Sequence, residues 1–149
     1  MRATLQTLAI VGLFGVAQAA LRPVGLAGLF ALSTPLSFAP WTVVTSVYAH
    51  ASVGHLLANA VGLLIVGPLV ERRTSLFRFH AFVVTTGGIA GIAQVTLGGL
   101  LGPSPAVLGL SGAVFALGGY LLAGNVASER LFGRLRLSAQ AQFLLFGLV

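Results

Sequence analysis

Charged residues divide this chain into long uncharged stretches, which run over residues 3–21, 23–70, 79–128 and 137–149. A membrane hydrocarbon core of roughly 30 Å takes about 20 helical residues, so the first stretch fits one spanning helix over about 4–21. The third stretch is long enough to cross twice. Its glycine- and proline-rich run 98–105 predicts the turn, which gives spans over about 79–98 and 107–127.

The second stretch predicts one span and one structured loop. Residues 53–70 form one clear, mostly apolar span, whereas the preceding residues carry three prolines and do not fit a regular span. We therefore expect a structured loop over 22–52, with short helices in the headgroup region. Trp41 and Tyr48 suit the membrane interface.

Both ends of the sequence leave room for interpretation. Arg2 before an apolar run and the small residues 17–20 resemble a secretory signal, but 19 continuous apolar residues favour a retained first span. The last stretch, 137–149, would reach only about 20 Å as a helix. We therefore expect a partial fifth span that continues past Val149. The fold predicted for 1–149 is all-α, a single polytopic membrane helical bundle.

Composition supports lipid as the solvent of this chain. The sequence is 57% hydrophobic and 7% charged, with a mean hydropathy of +1.03, so it lacks the polar surface of a soluble domain. The formal net charge of +6 comes from arginines at the edges of uncharged stretches. Such arginines are typical of membrane anchors rather than of nucleic-acid contacts. The absence of cysteine excludes disulfides and thiolate sites.

Arginine positions also predict the orientation. Only Arg22 falls on one side of a serpentine path, and seven fall on the other: Arg2, Arg72, Arg73, Arg78, Arg130, Arg134 and Arg136. The positive-inside rule makes the seven-arginine side, and with it the N-terminus, cytoplasmic. The second and fourth spans then both begin at the outer surface, where His55 and Ser111 would share one vestibule.

His55 and Asn59 form the first candidate cluster. They are four residues apart near the start of the second span and therefore share a helix face. Small residues at 54, 58 and 62 run beside them and would admit a neighbouring helix. The alternative is an interhelical hydrogen bond that only fixes packing.

Ser111 is the second candidate. It lies between Gly109 and Gly112, in the first turns of the fourth span, where unpaired helix N–H groups favour negative charge. The alternative is a helix cap or a packing residue. Gly112, Ala116 and Gly119 form a small-residue stripe that predicts a tightly packed helix, and Phe115 stays near the face of the serine. A serine nucleophile also needs a neighbouring base.

Taken together, these segments resemble the rhomboid family of intramembrane serine proteases. The run HASVGHLLAN over 50–59 is similar to the rhomboid second-span pattern of two histidines followed by H-x-x-x-N. The run GLSGAVFALGGY over 109–120 is similar to the rhomboid G-x-S-G span, with an aromatic residue one turn after the serine. Glu71, Arg72 and Arg73 also resemble the family. The resemblance implies a rhomboid-like fold with five of six core spans present.

The resemblance also implies roles for individual residues. Ser111 would attack a peptide bond, and His55, Asn59 and the Ser111 N–H would hold the oxyanion. Phe115 would pack against the base, a histidine expected on a sixth span past Val149. The remaining residues would support the site. Gly109, Gly112 and Gly119 would do so by packing, and His50 by stabilising the loop.

The sequence thus predicts an intramembrane serine endopeptidase of the cell membrane that cleaves single-span membrane proteins near the outer face. Its partners would be those substrates and the lipid bilayer, with no cofactor, metal or nucleic acid. The alternative is a non-catalytic rhomboid-like protein that binds client transmembrane helices. A small transporter or channel component lacks support from charged intramembrane residues or an internal repeat.

Overall fold

The computed structural model describes residues 1–102 and 106–123, and these fold into helices joined by short connections. The helices are α1 (Arg2–Leu21), α2 (Thr42–Tyr48), α3 (Val53–Glu71), α4 (Leu76–Leu101) and α5 (Ser111–Ala123). Two 3-10 turns, Arg22–Val24 and Ala27–Phe30, lie between α1 and α2. Within the described ranges there is no β-strand, only one isolated bridge. The predicted all-α class is confirmed.

Helices α1, α3 and α4 are each long and apolar enough to cross a membrane. Many of their large apolar side chains are exposed, for example Leu13, Ile65 and Ile89, each more than 60% exposed. In water such surfaces would be costly, so these helices fit a lipid environment. The predicted residues 124–127 of the fourth span and the partial span over 137–149 lie outside the described residues.

The boundaries of α4 differ from the predicted ones at both ends. The helix begins at Leu76 rather than near 79, because the Ser75 hydroxyl accepts a hydrogen bond from the Arg78 N–H at 3.3 Å and caps it. It then continues through Gly98 and Gly99 to Leu101. The expectation that these glycines end the helix was wrong, since glycine is well tolerated inside membrane helices.

Glycine residues allow the helices to pack closely. Helix α3 packs against α1 and α5, and α4 packs against α5 and α2. A Cβ at Gly62 of α3 would lie 2.8 Å from the Val114 side chain of α5, and one at Gly67 would lie 2.8 Å from Thr4 of α1. Only hydrogen fits at these crossings, so the helices approach more closely than larger residues would allow.

Contacts at the two ends of the bundle define its path. At one end the Glu71 carboxylate accepts hydrogen bonds from the Ala3 and Thr4 N–H groups, both at 3.1 Å, and pairs with the amino terminus at 2.9 Å. At the other end Leu32 of the 22–52 loop pairs with Val107 through two backbone hydrogen bonds of 3.0 and 2.8 Å. The loop and the segment before α5 therefore share one end, as the serpentine path predicts. Which end faces the cytoplasm stays a prediction.

The two aromatic residues expected at the membrane interface behave differently. Trp41 is 54% exposed, and its indole N–H donates to the Leu29 carbonyl at 3.2 Å. Tyr48 is buried instead, with its ring 5.7 Å from that of Phe14 in α1. Tyr48 therefore closes the end of α2 against α1, and its position at the membrane interface stays a prediction. Its burial raises the pKa of the Tyr48 hydroxyl.

Candidate active site

Ser111 is the first residue of α5 and is half-buried. The Leu110 carbonyl accepts the first bond of the helix, from the Val114 N–H at 3.0 Å. The helix begins four residues later than the predicted 107, because Val107 is extended in its pairing with Leu32 and Gly109 has a φ of +131°. The N–H groups of the first turn, including that of Ser111, have no partner within the helix.

His55 lies directly against the backbone that precedes Ser111. A Cβ at Gly109 would come within 2.5 Å of His55 Cε1 and 2.8 Å of Nε2. The imidazole therefore occupies the space that any side chain at 109 would need. His55 is placed by the start of α3, where its N–H donates to the Ser52 hydroxyl at 3.2 Å. The start of α3, which carries His55, thus contacts the segment that leads into Ser111 and α5.

Asn59 lies one turn further along α3 and is buried at 6% exposure. Its side-chain N–H donates to the His55 carbonyl at 3.1 Å. This bond lies within one helix. This N–H therefore does not make the interhelical hydrogen bond that was the alternative expectation. It holds the amide below His55 on the same helix face.

His50 is buried at 5% exposure beside His55, with the two ring centroids 5.2 Å apart. Its Nδ1 lies 3.1 Å from the Tyr48 carbonyl, and its Nε2 accepts a long hydrogen bond of 3.5 Å from the Leu110 N–H. Burial lowers the pKa of the His50 imidazole, the Tyr48 carbonyl opposes this, and a charge on His55 lowers it further. His50 therefore sits in the loop and contacts the segment that carries Ser111.

The supporting residues of α5 divide into two groups. A Cβ at Gly112 would lie 2.5 Å from the Ala90 Cβ, so α4 and α5 touch there. Phe115 is 76% exposed, and no described atom lies within 4 Å of a Cβ built at Gly119. Helix α4 therefore packs on the Gly112 end of the predicted stripe, whereas the base predicted near Phe115 lies outside the described residues.

The third histidine lies at the other end of the bundle. His80 Nε2 is 3.0 Å from the Gln6 amide oxygen, so it takes no part in the cluster around Ser111. Within the described ranges, no three histidine, aspartate or glutamate side chains come close enough to hold a metal ion.

Two residues of this cluster escaped the sequence analysis. Gln18 of α1 is buried, and its amide oxygen accepts a 2.8 Å bond from the His50 N–H. A glutamine in an apolar span is itself a signal of a buried partner. The Ser46 carbonyl accepts the Gly109 N–H at 2.8 Å, and no sequence signal identifies a backbone acceptor of this kind.

Comparison with known proteins decides the family. The Rhomboid domain matches residues 37–149, which include α2, α3, α4, α5 and every residue of the cluster described above except Gln18. The chain belongs to the rhomboid family. The resemblance read from the two motifs is thereby confirmed, and the protein is an integral membrane protein.

Two curated rhomboid relatives match part of this chain. The Rhomboid protease GlpG of Haemophilus influenzae is 29% identical over 92 residues, which cover 62% of this chain and 45% of the relative. The Rhomboid protease GlpG of Salmonella choleraesuis is 31% identical over 86 residues, which cover 58% of this chain and 29% of the relative. The chain thus spans less than half the length of either relative.

Proposed function

We propose that this rhomboid is an intramembrane serine endopeptidase in which Ser111 is the nucleophile. The observation that carries the proposal is the His55 ring against Gly109, two residues before a serine that begins a helix. A nucleophile at that position has free helix N–H groups and an imidazole beside it. These are the donors that a tetrahedral oxyanion needs. The two relatives, both named rhomboid proteases, support the same activity.

The proposed reaction follows from these groups. The Ser111 hydroxyl oxygen attacks the carbonyl carbon of the scissile peptide bond while a base takes its proton. Negative charge develops on the carbonyl oxygen and is held by the Ser111 N–H, His55 and Asn59. Collapse breaks the C–N bond, the amine leaves with the proton, and water then hydrolyses the acyl-enzyme. The base is proposed to be a histidine from a sixth span, as the family resemblance implies.

The substrate and the side of the membrane belong to the same proposal. We expect single-span membrane proteins to enter at the end where α3 and α5 begin. Arginine counting supports the outer face for this end, with the N-terminus in the cytoplasm, and we propose that the membrane is the cell membrane. Backbone N–H groups at the start of α5 suit an unwound, extended substrate segment there.

A second candidate function applies if no base reaches Ser111. Among the described residues, the two other histidines are engaged elsewhere: His50 with Tyr48 and Leu110, and His80 with Gln6. A rhomboid without a base next to Ser111 would bind client transmembrane helices without cutting them.

Cleavage of a single-span reporter by the full-length protein in liposomes separates the two functions. We expect Ser111→Ala to lower the cleavage rate by at least about 10³-fold, because the nucleophile is removed. Ser37→Ala, an exposed loop serine, is the matched control and should keep full activity. Equal cleavage by wild type and Ser111→Ala would exclude the serine mechanism. Reporter binding without cleavage by wild type would establish the binder.

A further inference from the structure

A chain of buried contacts links α1 to the start of α5 through His50. The Gln18 amide oxygen accepts the His50 N–H at 2.8 Å, and the ring of His50 contacts the Tyr48 carbonyl and the Leu110 N–H. Leu110 itself is fully buried and precedes Ser111 directly. The position of the nucleophile therefore depends on a loop histidine that is tied to another helix.

The two partners of the ring fix its protonation. The Tyr48 carbonyl can only accept a hydrogen bond and the Leu110 N–H can only donate one. The ring must then carry its hydrogen on Nδ1 and a lone pair on Nε2, which is the neutral form. A protonated ring carries hydrogen on both nitrogens. The Leu110 N–H would then face another donor and lose its partner.

We propose that Gln18 and His50 are positioning residues that hold the Gly109–Ser111 segment against His55 only while His50 is neutral. Acid would thus loosen this segment at Leu110, next to Ser111, while the backbone bonds of Gly109 to Ser46 and of Val107 to Leu32 remain. The effect on cleavage rests on the proposed function, whereas the effect on the segment does not.

The groups around His50 act in opposing directions, since burial and His55 disfavour a charge on the ring whereas the Tyr48 carbonyl favours one. From α3, His55 lies with its ring 5.2 Å away, so a charge there disfavours a charge on His50. From α1 the contact is the neutral amide of Gln18, and the described segment 106–110 contains no titratable side chain. Tyr48 contributes its carbonyl, and its hydroxyl is neutral because burial raises its pKa above the ordinary value of 10.0. Arg22 is exposed beyond the end of α1.

The sign of the pH dependence follows. Burial lowers the pKa of His50 below its ordinary value of 6.5, so the folded protein favours the neutral ring. The Leu110 bond is then fully present above pH 6.5 and is lost as the pH falls through the lowered pKa.

Hydrogen exchange at the Leu110 amide tests this in full-length protein that carries Ser111→Ala, which removes any dependence on proteolysis. Exchange is measured from pH 7.5 down to the lowest pH at which the protein stays folded, and is corrected for the intrinsic rate. We expect protection to fall about five-fold on acidification, the value of one ordinary hydrogen bond. His50→Gln adds an acceptor that does not titrate, so the fall should disappear. In the matched control His80→Gln it should remain.

Two outcomes overturn the proposal: an equal fall in His50→Gln, or no fall in the parent protein. Should His50→Gln not fold, Gln18→Ala gives an independent test against Gln6→Ala, an exposed glutamine of the same helix. Gln18→Ala should speed Leu110 exchange about five-fold at pH 7.5, and an unchanged rate would contradict the link to α1. If the exchange results hold but wild type cleaves no reporter, the proposed protease function fails and the positioning role stands.

Discussion

At Gly109 the absence of one Cβ decides whether His55 can lie beside the start of α5. The position combines a left-handed φ of +131° with an imidazole 2.5 Å from where a Cβ would be. Both features select glycine, for different reasons: the first concerns backbone conformation and the second space. The sequence alone predicted that His55 and Ser111 meet, because their spans begin at the same end of a serpentine path.

Gly109→Ala should therefore be costly. Strain at the positive φ and the clash with His55 together should lower the free energy of unfolding by about 2–4 kcal/mol. Equilibrium unfolding in mixed micelles measures this. Gly54→Ala is the control, since a Cβ there meets no described atom within 4 Å. A Gly109→Ala protein as stable as Gly54→Ala would show that His55 does not occupy this space.

Asn59→Ala separates catalysis from stability. The change removes one hydrogen bond to the His55 carbonyl, which is worth about 1 kcal/mol of stability. Its loss from the proposed oxyanion site should lower kcat about 10²- to 10³-fold with little change in KM. A cleavage rate that falls only in proportion to lost folded protein would make Asn59 a packing residue.

At the scale of helices, the contact between α3 and α5 carries the geometry of the site. Gly62 and Val114 meet where these helices cross. This contact lies further along the chain on both sides than the contact between His55 and Gly109. Sequence reasoning identified small residues at 54, 58 and 62; of the two glycines among them, Gly62 has a close neighbour from α5, while Gly54 is open. Spacing on one helix gives the face, whereas the contact point depends on the crossing angle, which the sequence of one helix does not specify.

A double-mutant cycle at this crossing tests the packing. Gly62→Ala should lower the free energy of unfolding by about 1–3 kcal/mol, because its Cβ would lie 2.8 Å from Val114 Cγ1. Adding Val114→Ala removes the obstructing atoms and should recover part of that loss. Purely additive effects in unfolding experiments would mean that the two residues are not in contact.

At the scale of the whole molecule, two end contacts fix which segments share a side of the bundle. Glu71 joins the start of α1, and Leu32 joins Val107 at the opposite end. Apolar run lengths were enough to predict the all-α membrane bundle and its path. They could not predict the later start of α5, because a backbone pairing between distant segments holds Val107 extended and leaves no signal in either segment.

Orientation can be tested by cysteine labelling, since none of the 149 residues is cysteine. Ser37→Cys in the loop should react with a membrane-impermeant maleimide in intact cells. Thr74→Cys, between α3 and α4, should react only after permeabilisation. The reverse pattern would show that the membrane orientation is opposite to the one that the arginines predict.

Covalent labelling of the full-length protein with a fluorophosphonate tests the central claim most directly, because the probe forms a bond with an activated serine. The account predicts one adduct, located on Ser111 by mass spectrometry and reduced by Gly109→Ala. Ser46→Ala, which keeps the backbone carbonyl that binds Gly109, should label normally. An adduct on another serine, or an unreactive Ser111 in protein that cleaves its substrate, would contradict the account.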